Sequence, residues 1–119
     1  MLLSATQEID GTIRHHRIVL SRDPGRTESH VQLALALQAR GDHDQSERHL
    51  QQALELDDDL PAIHVGLGRL YLETDRHAEA RRHLQRAVRI LEARSETDSE
   101  SDKLLELARG LLEKTSATP

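Results

Sequence analysis

The chain has 119 residues, with 21 acidic and 16 basic side chains and a formal net charge of −5. This length favours one domain, and the acidic balance argues against nucleic-acid binding, which needs clustered basic side chains. The absence of cysteine excludes disulfides, cysteine-ligated zinc and thiol catalysis. No apolar run approaches the ~20 residues of a membrane span, and the first residues lack the pattern of a secretory signal. We therefore expect a cytoplasmic protein without membrane insertion.

The first predicted element is a helix over residues 5–22. Ile9, Ile13 and Leu20 lie at helical spacing, and the run at 23–25, Asp-Pro-Gly, is a strong turn signal that ends the helix. Comparison of the chain with itself reveals a 34-residue period. In that register this helix corresponds to the second helix of a repeat whose first helix is missing. We interpret it as a half repeat.

A complete repeat is predicted over residues 27–60, as two helices. Gly41 is a typical C-terminal stop for the first helix, and Asp42 with Gln45 has the spacing of a capping box for the second. The second helix ends at the three aspartates of 57–59, because their charges oppose the negative end of the helix dipole.

A second repeat is predicted over residues 61–94. Nine of its positions carry the same residue as the first repeat. Pro61 suits the first position of a helix over 61–73, and a break at 74–75 precedes a helix near 77–93. Both repeats carry small residues where two helices could approach closely; these are Ala34 and Gly68, Ser46 and Ala80, and Ala53 and Ala87.

The C-terminal part is predicted to contain an acidic, serine-rich linker over 95–102 and a helix over 103–115. The linker has no apolar residue and interrupts the 34-residue period. The helix has one apolar and one polar side, as a capping helix at the end of a repeat array requires. Its apolar stripe consists of Leu104, Leu105, Leu107, Ala108, Leu111 and Leu112.

The 34-residue unit resembles the tetratricopeptide repeat (TPR), whose signature is W-x2-L-G-x2-Y, then A-x3-F, then P. The matching residues of the second repeat are His64, Leu67, Gly68, Tyr71, Ala80 and Leu84. In both repeats His replaces Trp and Leu replaces Phe, which predicts a core built from leucine and alanine. The resemblance implies an all-α, tetratricopeptide-like helical-hairpin solenoid, a right-handed superhelix of about two and a half repeats plus the capping helix.

The resemblance also implies a protein–protein interaction or scaffold module that binds a peptide or helix in a concave groove lined by the first helices. The predicted partner-binding residues are Val31, Gln32, Leu35, Gln38, Val65, Arg69, Leu72 and Glu73. One alternative is a structural homo-oligomer whose grooves are closed by its own copies. Another is a regulatory subunit that needs a larger partner to complete the superhelix.

Some TPR proteins bind chaperone C-terminal tails through a two-carboxylate clamp of Lys, Asn and Arg. The matching positions here are Val31, Leu35 and Gly66, which lack the charge and amide groups of the clamp. The sequence therefore predicts that this chain does not bind chaperone tails.

Seven of the eight histidines recur at fixed repeat positions. The repeat-equivalent sets are His15, His49 and His83; His43 and His77; and His30 and His64. Equivalent side chains of adjacent repeats are roughly 10 Å apart, whereas two ligands of one zinc must have their nitrogens within about 4 Å. We therefore predict no metal site and no cofactor, and expect instead that protonation of the histidines makes the protein sensitive to pH. No motif of a hydrolase, phosphate-binding loop or dinucleotide site occurs, so the chain is not predicted to be an enzyme.

Overall fold

The structure is a computed structural model that describes residues 4–94 and 98–116. Within those residues the chain forms six α-helices and no β-strand, which confirms the all-α prediction. The helices are α1 (Ala5–Arg22), α2 (Thr27–Arg40), α3 (His43–Leu56), α4 (Pro61–Glu73), α5 (His77–Ala93) and α6 (Ser99–Ser116). The chain divides into two compact units, Met1–Asp58 with α1 to α3 and Asp59–Pro119 with α4 to α6. The single domain expected from the length stays a prediction.

Helix α1 begins at a capping box that the sequence analysis did not identify. The Ser4 hydroxyl accepts a hydrogen bond from the Gln7 amide (3.2 Å), and the Ser4 amide donates to the Gln7 side-chain oxygen (2.9 Å). The helix ends at Arg22, and the carboxylate of the next residue, Asp23, accepts a hydrogen bond from the Gly25 amide in the turn. Ile13, which is 1% exposed, is its buried residue and lies in a core cluster with α2.

The hairpin of α2 and α3 turns at Gly41, as the sequence predicts. Gly41 has φ 90°, a left-handed conformation that glycine adopts without steric cost. The predicted capping box at Asp42 is wrong, because the Asp42 side chain makes no capping hydrogen bond. Its carboxylate instead binds the guanidinium of Arg40 at 2.6 and 2.7 Å, and the Gln45 amide oxygen accepts from Arg17. A nearby guanidinium is a stronger partner for a carboxylate than a neutral backbone amide.

The helices α4 and α5 approach each other closely at Gly68, one of the predicted small positions. Pro61 occupies the first turn of α4. A methyl group on Gly68 would lie 2.4 Å from Cγ of the buried Leu84, so the two helices approach each other too closely there for a larger residue. The turn of this hairpin places Asp75 at φ 60°, at the repeat position that Gly41 occupies in the first hairpin.

Helix α6 begins at Ser99, four residues before the predicted start at 103. The predicted linker is therefore wrong over 99–102, while residues 95–97 lie outside the described residues. The Asp98 carboxylate accepts a hydrogen bond from the Ser101 amide at 2.7 Å, which lowers the pKa of that carboxyl. Acidic side chains favour a helix N-terminus because the helix dipole is positive there. The acidic run thus starts a helix.

The apolar stripe of α6 is narrower than predicted. Ala108, Leu111 and Thr115 are buried, whereas Leu107 is 44% exposed. The helix packs on α5 and on α4 of the same unit. Its assignment as a cap of the repeat array stays a prediction.

Candidate protein-binding surface and histidine pairs

Helix α2, the first helix of the repeat hairpin in unit 1, presents part of the predicted binding set at the surface. Leu35 is 37% exposed, and Gln32, one turn earlier on the same side of α2, is also exposed. Val31 and Gln38 are buried. In unit 1 the exposed members of the predicted set are therefore Leu35, which is apolar, and Gln32, which carries a neutral amide.

The first helix of unit 2 has a more charged surface. Arg69 and Glu73 are exposed and form an ion pair with 3.6 Å between Nε and Oε1. Leu72 is half-buried next to them, and Val65 is buried. That the eight residues form one binding site stays a prediction. Each of the two helices, α2 and α4, presents its own short row of accessible side chains.

Other exposed apolar side chains fall outside the predicted set. The large ones among residues 4–94 and 98–116 are Ile18 on α1, Leu56 on α3 and Leu107 on α6. Leu56, at 48% exposed, is the natural comparison for Leu35, because it is the same residue type on the second helix of the same hairpin.

The histidines of unit 1 are brought together inside the hairpin. Nδ1 of His30 on α2 lies 3.1 Å from Nδ1 of His49 on α3, and the ring centroids are 5.3 Å apart. Nε2 of His30 lies 2.8 Å from the carbonyl oxygen of Pro24. His30 is buried and His49 is half-buried. The two rings therefore form a hydrogen-bonded pair that joins the two helices.

Unit 2 contains the same pair at the equivalent positions. Nδ1 of His64 on α4 lies 3.1 Å from Nδ1 of His83 on α5, with ring centroids 5.4 Å apart. The ring of Tyr71 lies 5.7 Å from that of His83, and the guanidinium of Arg76 covers the tyrosine ring at 4.3 Å from its centroid. The same geometry in two separate hairpins shows that the pair belongs to the repeat itself.

Burial and neighbouring cations make one imidazole of each pair, His49 and His83, harder to charge. Burial lowers the pKa of His49, and His30, Arg17 and Arg48 add to the shift by electrostatic repulsion. Burial likewise lowers the pKa of His83, together with His64 and Arg82, whereas the carboxylate of Glu79 opposes the shift. His49 and His83 therefore favour the neutral ring.

These pairs are not among the sequence predictions, because they do not join histidines at equivalent positions of successive repeats. The partners lie at different positions of the same repeat. The same number of residues separates His30 from His49 and His64 from His83. That repeated spacing is the signal that could have identified them.

Neither a metal cluster nor a membrane span is found in the part of the chain that the structure describes. No group of three or more His, Cys, Asp or Glu side chains there could hold a metal ion. None of the described helices is long and apolar enough to cross a membrane.

Comparison with known proteins identifies the repeat. A family model described as tetratricopeptide repeat matches residues 25–93, which is more than half of the chain. The chain belongs to the tetratricopeptide repeat family. The resemblance inferred from the sequence motifs is thus confirmed. No curated protein sequence matches the chain.

Several solved structures share the TPR fold of this chain. The Yersinia enterocolitica type III secretion translocator chaperone SycD, in an alternative dimer, matches with a TM-score of 0.81 and 16% identity over 92% of this chain and 80% of SycD. PcrH in complex with the chaperone binding region of PopD matches with a TM-score of 0.81 and 15% identity over 93% of this chain and 80% of PcrH. MamA matches with a TM-score of 0.65 and 21% identity over 97% and 70% of the two chains. At these identities the similarity establishes the fold alone.

The partner prediction made from the sequence requires correction. It stated that this chain does not bind chaperone tails because the carboxylate clamp is absent, yet two of the similar folds are those of chaperones, SycD and PcrH. The clamp is one way to bind one chemical group, a terminal carboxylate. Its absence at Val31, Leu35 and Gly66 therefore does not exclude such an interaction, and the exclusion is withdrawn.

Proposed function

We propose that this TPR protein is a scaffold module that binds a segment of another protein on the exposed sides of its first helices, α2 and α4. The observation that carries the proposal is Leu35, a large apolar side chain that is 37% exposed on the first helix of a TPR hairpin. First helices of helical repeats supply the binding surfaces of these folds, and exposed apolar side chains with polar neighbours are typical of interaction sites.

Two structures with the same fold support a peptide segment as the partner. PcrH was solved with the chaperone binding region of PopD, and SycD was solved with a peptide of the translocator YopD. These proteins share 15% and 16% identity with this chain. They support a polypeptide segment as the class of ligand. Which segment binds depends on the side chains that this chain presents.

The side chains on each helix indicate what a partner must supply. On α2, Leu35 requires an apolar side chain, and Gln32 can donate and accept hydrogen bonds. On α4, Arg69 and Glu73 are exposed, so exchanging their ion pair for contacts with a partner costs little. Because interaction hot spots are usually Trp, Tyr and Arg, Arg69 is the residue of this surface with the greatest expected contribution.

The proposal is tested with matched leucine substitutions. The full chain is used as bait in an extract of its source cells, retained proteins are identified by mass spectrometry, and binding of the purified partner is then measured by calorimetry. We expect Leu35→Glu to weaken binding at least tenfold (about 1.4 kcal/mol) and Leu56→Glu to leave it unchanged. Equal binding by both variants would contradict the proposed surface.

The contribution of unit 2 is tested separately with matched arginines. Arg69→Glu on α4 is expected to weaken binding of the same partner, whereas Arg89→Glu, an exposed arginine on α5, is not. Both changes alter the net charge equally, so a difference between them reports position rather than overall charge.

The competing function is a structural homo-oligomer. Light scattering across a range of protein concentrations distinguishes it, because a binding surface that is open to another protein leaves the purified chain monomeric at micromolar concentration. A dimer at every concentration that is dissociated by Leu35→Glu would show that a second copy occupies the proposed surface.

A further inference from the structure

The histidine pair of unit 1 has a defined arrangement of protons. A carbonyl oxygen can only accept a hydrogen bond, so Nε2 of His30, 2.8 Å from the Pro24 oxygen, carries the hydrogen. In a neutral ring, Nδ1 of His30 is then an acceptor. The hydrogen between the two Nδ1 atoms, which are 3.1 Å apart, must therefore come from His49.

This arrangement limits the number of protons that the pair can hold. One added proton can occupy Nε2 of His49 and leave the hydrogen bond in place. A second would have to occupy Nδ1 of His30, which already faces the hydrogen on Nδ1 of His49. Full protonation therefore breaks the bond between α2 and α3 and places two positive charges side by side.

The charged groups around each pair act in the same direction, with one exception. In unit 1, Arg17 from α1 and Arg48 on α3 both disfavour a charged His49. In unit 2, Arg82 on α5 has the same effect on His83, and Glu79 opposes it. The charged groups that act on His83 include none from the described residues of α6, and Tyr71 contributes an aromatic ring.

A proton is a better ligand for these pairs than a metal ion. Two nitrogens 3.1 Å apart could both reach one ion. However, no third ligand accompanies them among residues 4–94 and 98–116, and arginines lie beside both pairs. Both sites therefore disfavour a bound metal cation.

We propose that the two histidine pairs are a pH-sensitive lock within the TPR hairpins: neutral rings join α2 to α3 and α4 to α5, and acidification releases both. The lock acts on the stability of each hairpin and does not depend on the proposed binding function. It assigns a role to the histidines that stand where the family signature has tryptophan, because a tryptophan at that position could not change its charge.

The direction of the effect follows from linkage. The pKa values of His49 and His83 are lowered in the folded chain, relative to the ordinary value of about 6.5 for an unfolded histidine. Below about pH 6.5 the unfolded chain binds more protons than the folded chain. The stabilisation is thus complete above that pH and is lost as the pH falls towards the folded pKa values.

The test compares urea unfolding, followed by far-UV circular dichroism, at about pH 7.5 and about pH 5. The wild type is expected to lose stability on acidification. His49→Gln with His83→Gln removes two titrating rings but keeps a donor beside each remaining histidine, so at least half of that loss should disappear. The matched control, His43→Gln with His77→Gln, removes two repeat-equivalent histidines outside both pairs and should retain the full loss.

A second measurement on the wild type keeps the proposal testable if a variant fails to fold. Nitrogen NMR of the imidazole rings reports both tautomer and titration midpoint. His49 is expected in the Nδ1–H form, and both His49 and His83 should titrate below about pH 6.5, the ordinary value of an unfolded histidine. Midpoints at or above that value, or equal pH dependence in both double variants, would overturn the proposal.

Discussion

The two units contain the same hairpin but hold their third helix in different ways. In unit 1, α1 covers α2 through an apolar cluster of Ile13, Leu33, Ala36 and Leu37. In unit 2, α6 lies on α5 and α4 through Ala108 and Leu111, and it is also held by Arg81, which donates to the Thr115 carbonyl at 3.0 Å. Polar contacts supplement the apolar cluster in unit 1 as well, since Arg40 on α2 pairs with Asp10 on α1 at 3.2 Å and Arg17 on α1 donates to Gln45 on α3. The units differ in the burial of the apolar residue that attaches the additional helix, because Ile13 is 1% exposed and Leu111 is 8% exposed.

The two hairpins also differ at the point where their helices meet. Unit 1 has Ala34 and Ser46, and the Ser46 hydroxyl donates to the Ala34 carbonyl oxygen at 2.7 Å in a buried position. Unit 2 has Gly68 and Ala80 at the equivalent positions, and Leu84 fills the space that a side chain on Gly68 would need. One hairpin thus uses a hydrogen bond where the other uses close apolar packing.

The largest expected effect is at the attachment of α1. Ile13→Ala should lower the free energy of unfolding by about 2–5 kcal/mol, because it empties a fully buried position that joins α1 to α2. Leu111→Ala, the comparable change in α6, should cost less, because Leu111 is more exposed than Ile13. Urea unfolding followed by circular dichroism measures both, since the chain has no tryptophan. Equal losses would contradict the comparison.

The next effect concerns the close approach at Gly68. Gly68→Ala should cost about 1–3 kcal/mol, since the new methyl group would overlap the buried Leu84 side chain. The reverse change, Ala34→Gly, should cost about 1 kcal/mol, mainly through its effect on helix propensity. Unfolding of the two variants compares these costs, and a stabilising Gly68→Ala would show that the helices can separate without loss.

A smaller effect is expected at the buried hydroxyl of unit 1. Ser46→Ala should lower the free energy of unfolding by about 1 kcal/mol, because it removes the donor to the Ala34 carbonyl. The matched change in unit 2, Ala80→Ser, introduces the residue of unit 1 and should cost less than about 1 kcal/mol if the Gly68 carbonyl accepts the same bond. Thermal unfolding resolves the difference. No loss in Ser46→Ala would mean that the hydroxyl only fills space.

The smallest effect is expected at the polar attachment of α6. Arg81→Ala removes donors to the Thr115 hydroxyl and carbonyl, and its cost should stay below about 1 kcal/mol because the arginine is exposed. Hydrogen exchange of the α6 amides measures the same change locally. Faster exchange confined to α6 is the expected result, and faster exchange in α4 as well would assign Arg81 a wider structural role.

The 34-residue period accounts for most of what the sequence could predict. The turn at Gly41, the start of α4 at Pro61 and the small residue at Gly68 each follow from local steric requirements, which are visible in a single sequence. The family signature adds the pairing of helices into hairpins. These features involve residues that are close in the chain or related by one repeat.

The features that the sequence did not reveal depend on competition between partners. Asp42 could cap α3 or bind Arg40, and only the folded geometry shows that the guanidinium is the partner. Asp98 begins a helix inside a run that composition alone describes as a linker. Contact between His30 and His49 depends on how two helices face each other across a hairpin, which a search for equivalent positions does not reveal.

Photo-crosslinking tests the proposed function most directly. A photoreactive side chain is placed at position 35 on α2 and, as the control, at position 56 on α3, where the native leucines are both exposed. We predict adducts with another protein from position 35 and none from position 56. Equal adducts from both positions, or adducts from position 35 with a second copy of this chain only, would contradict a surface on the first helices that binds another protein.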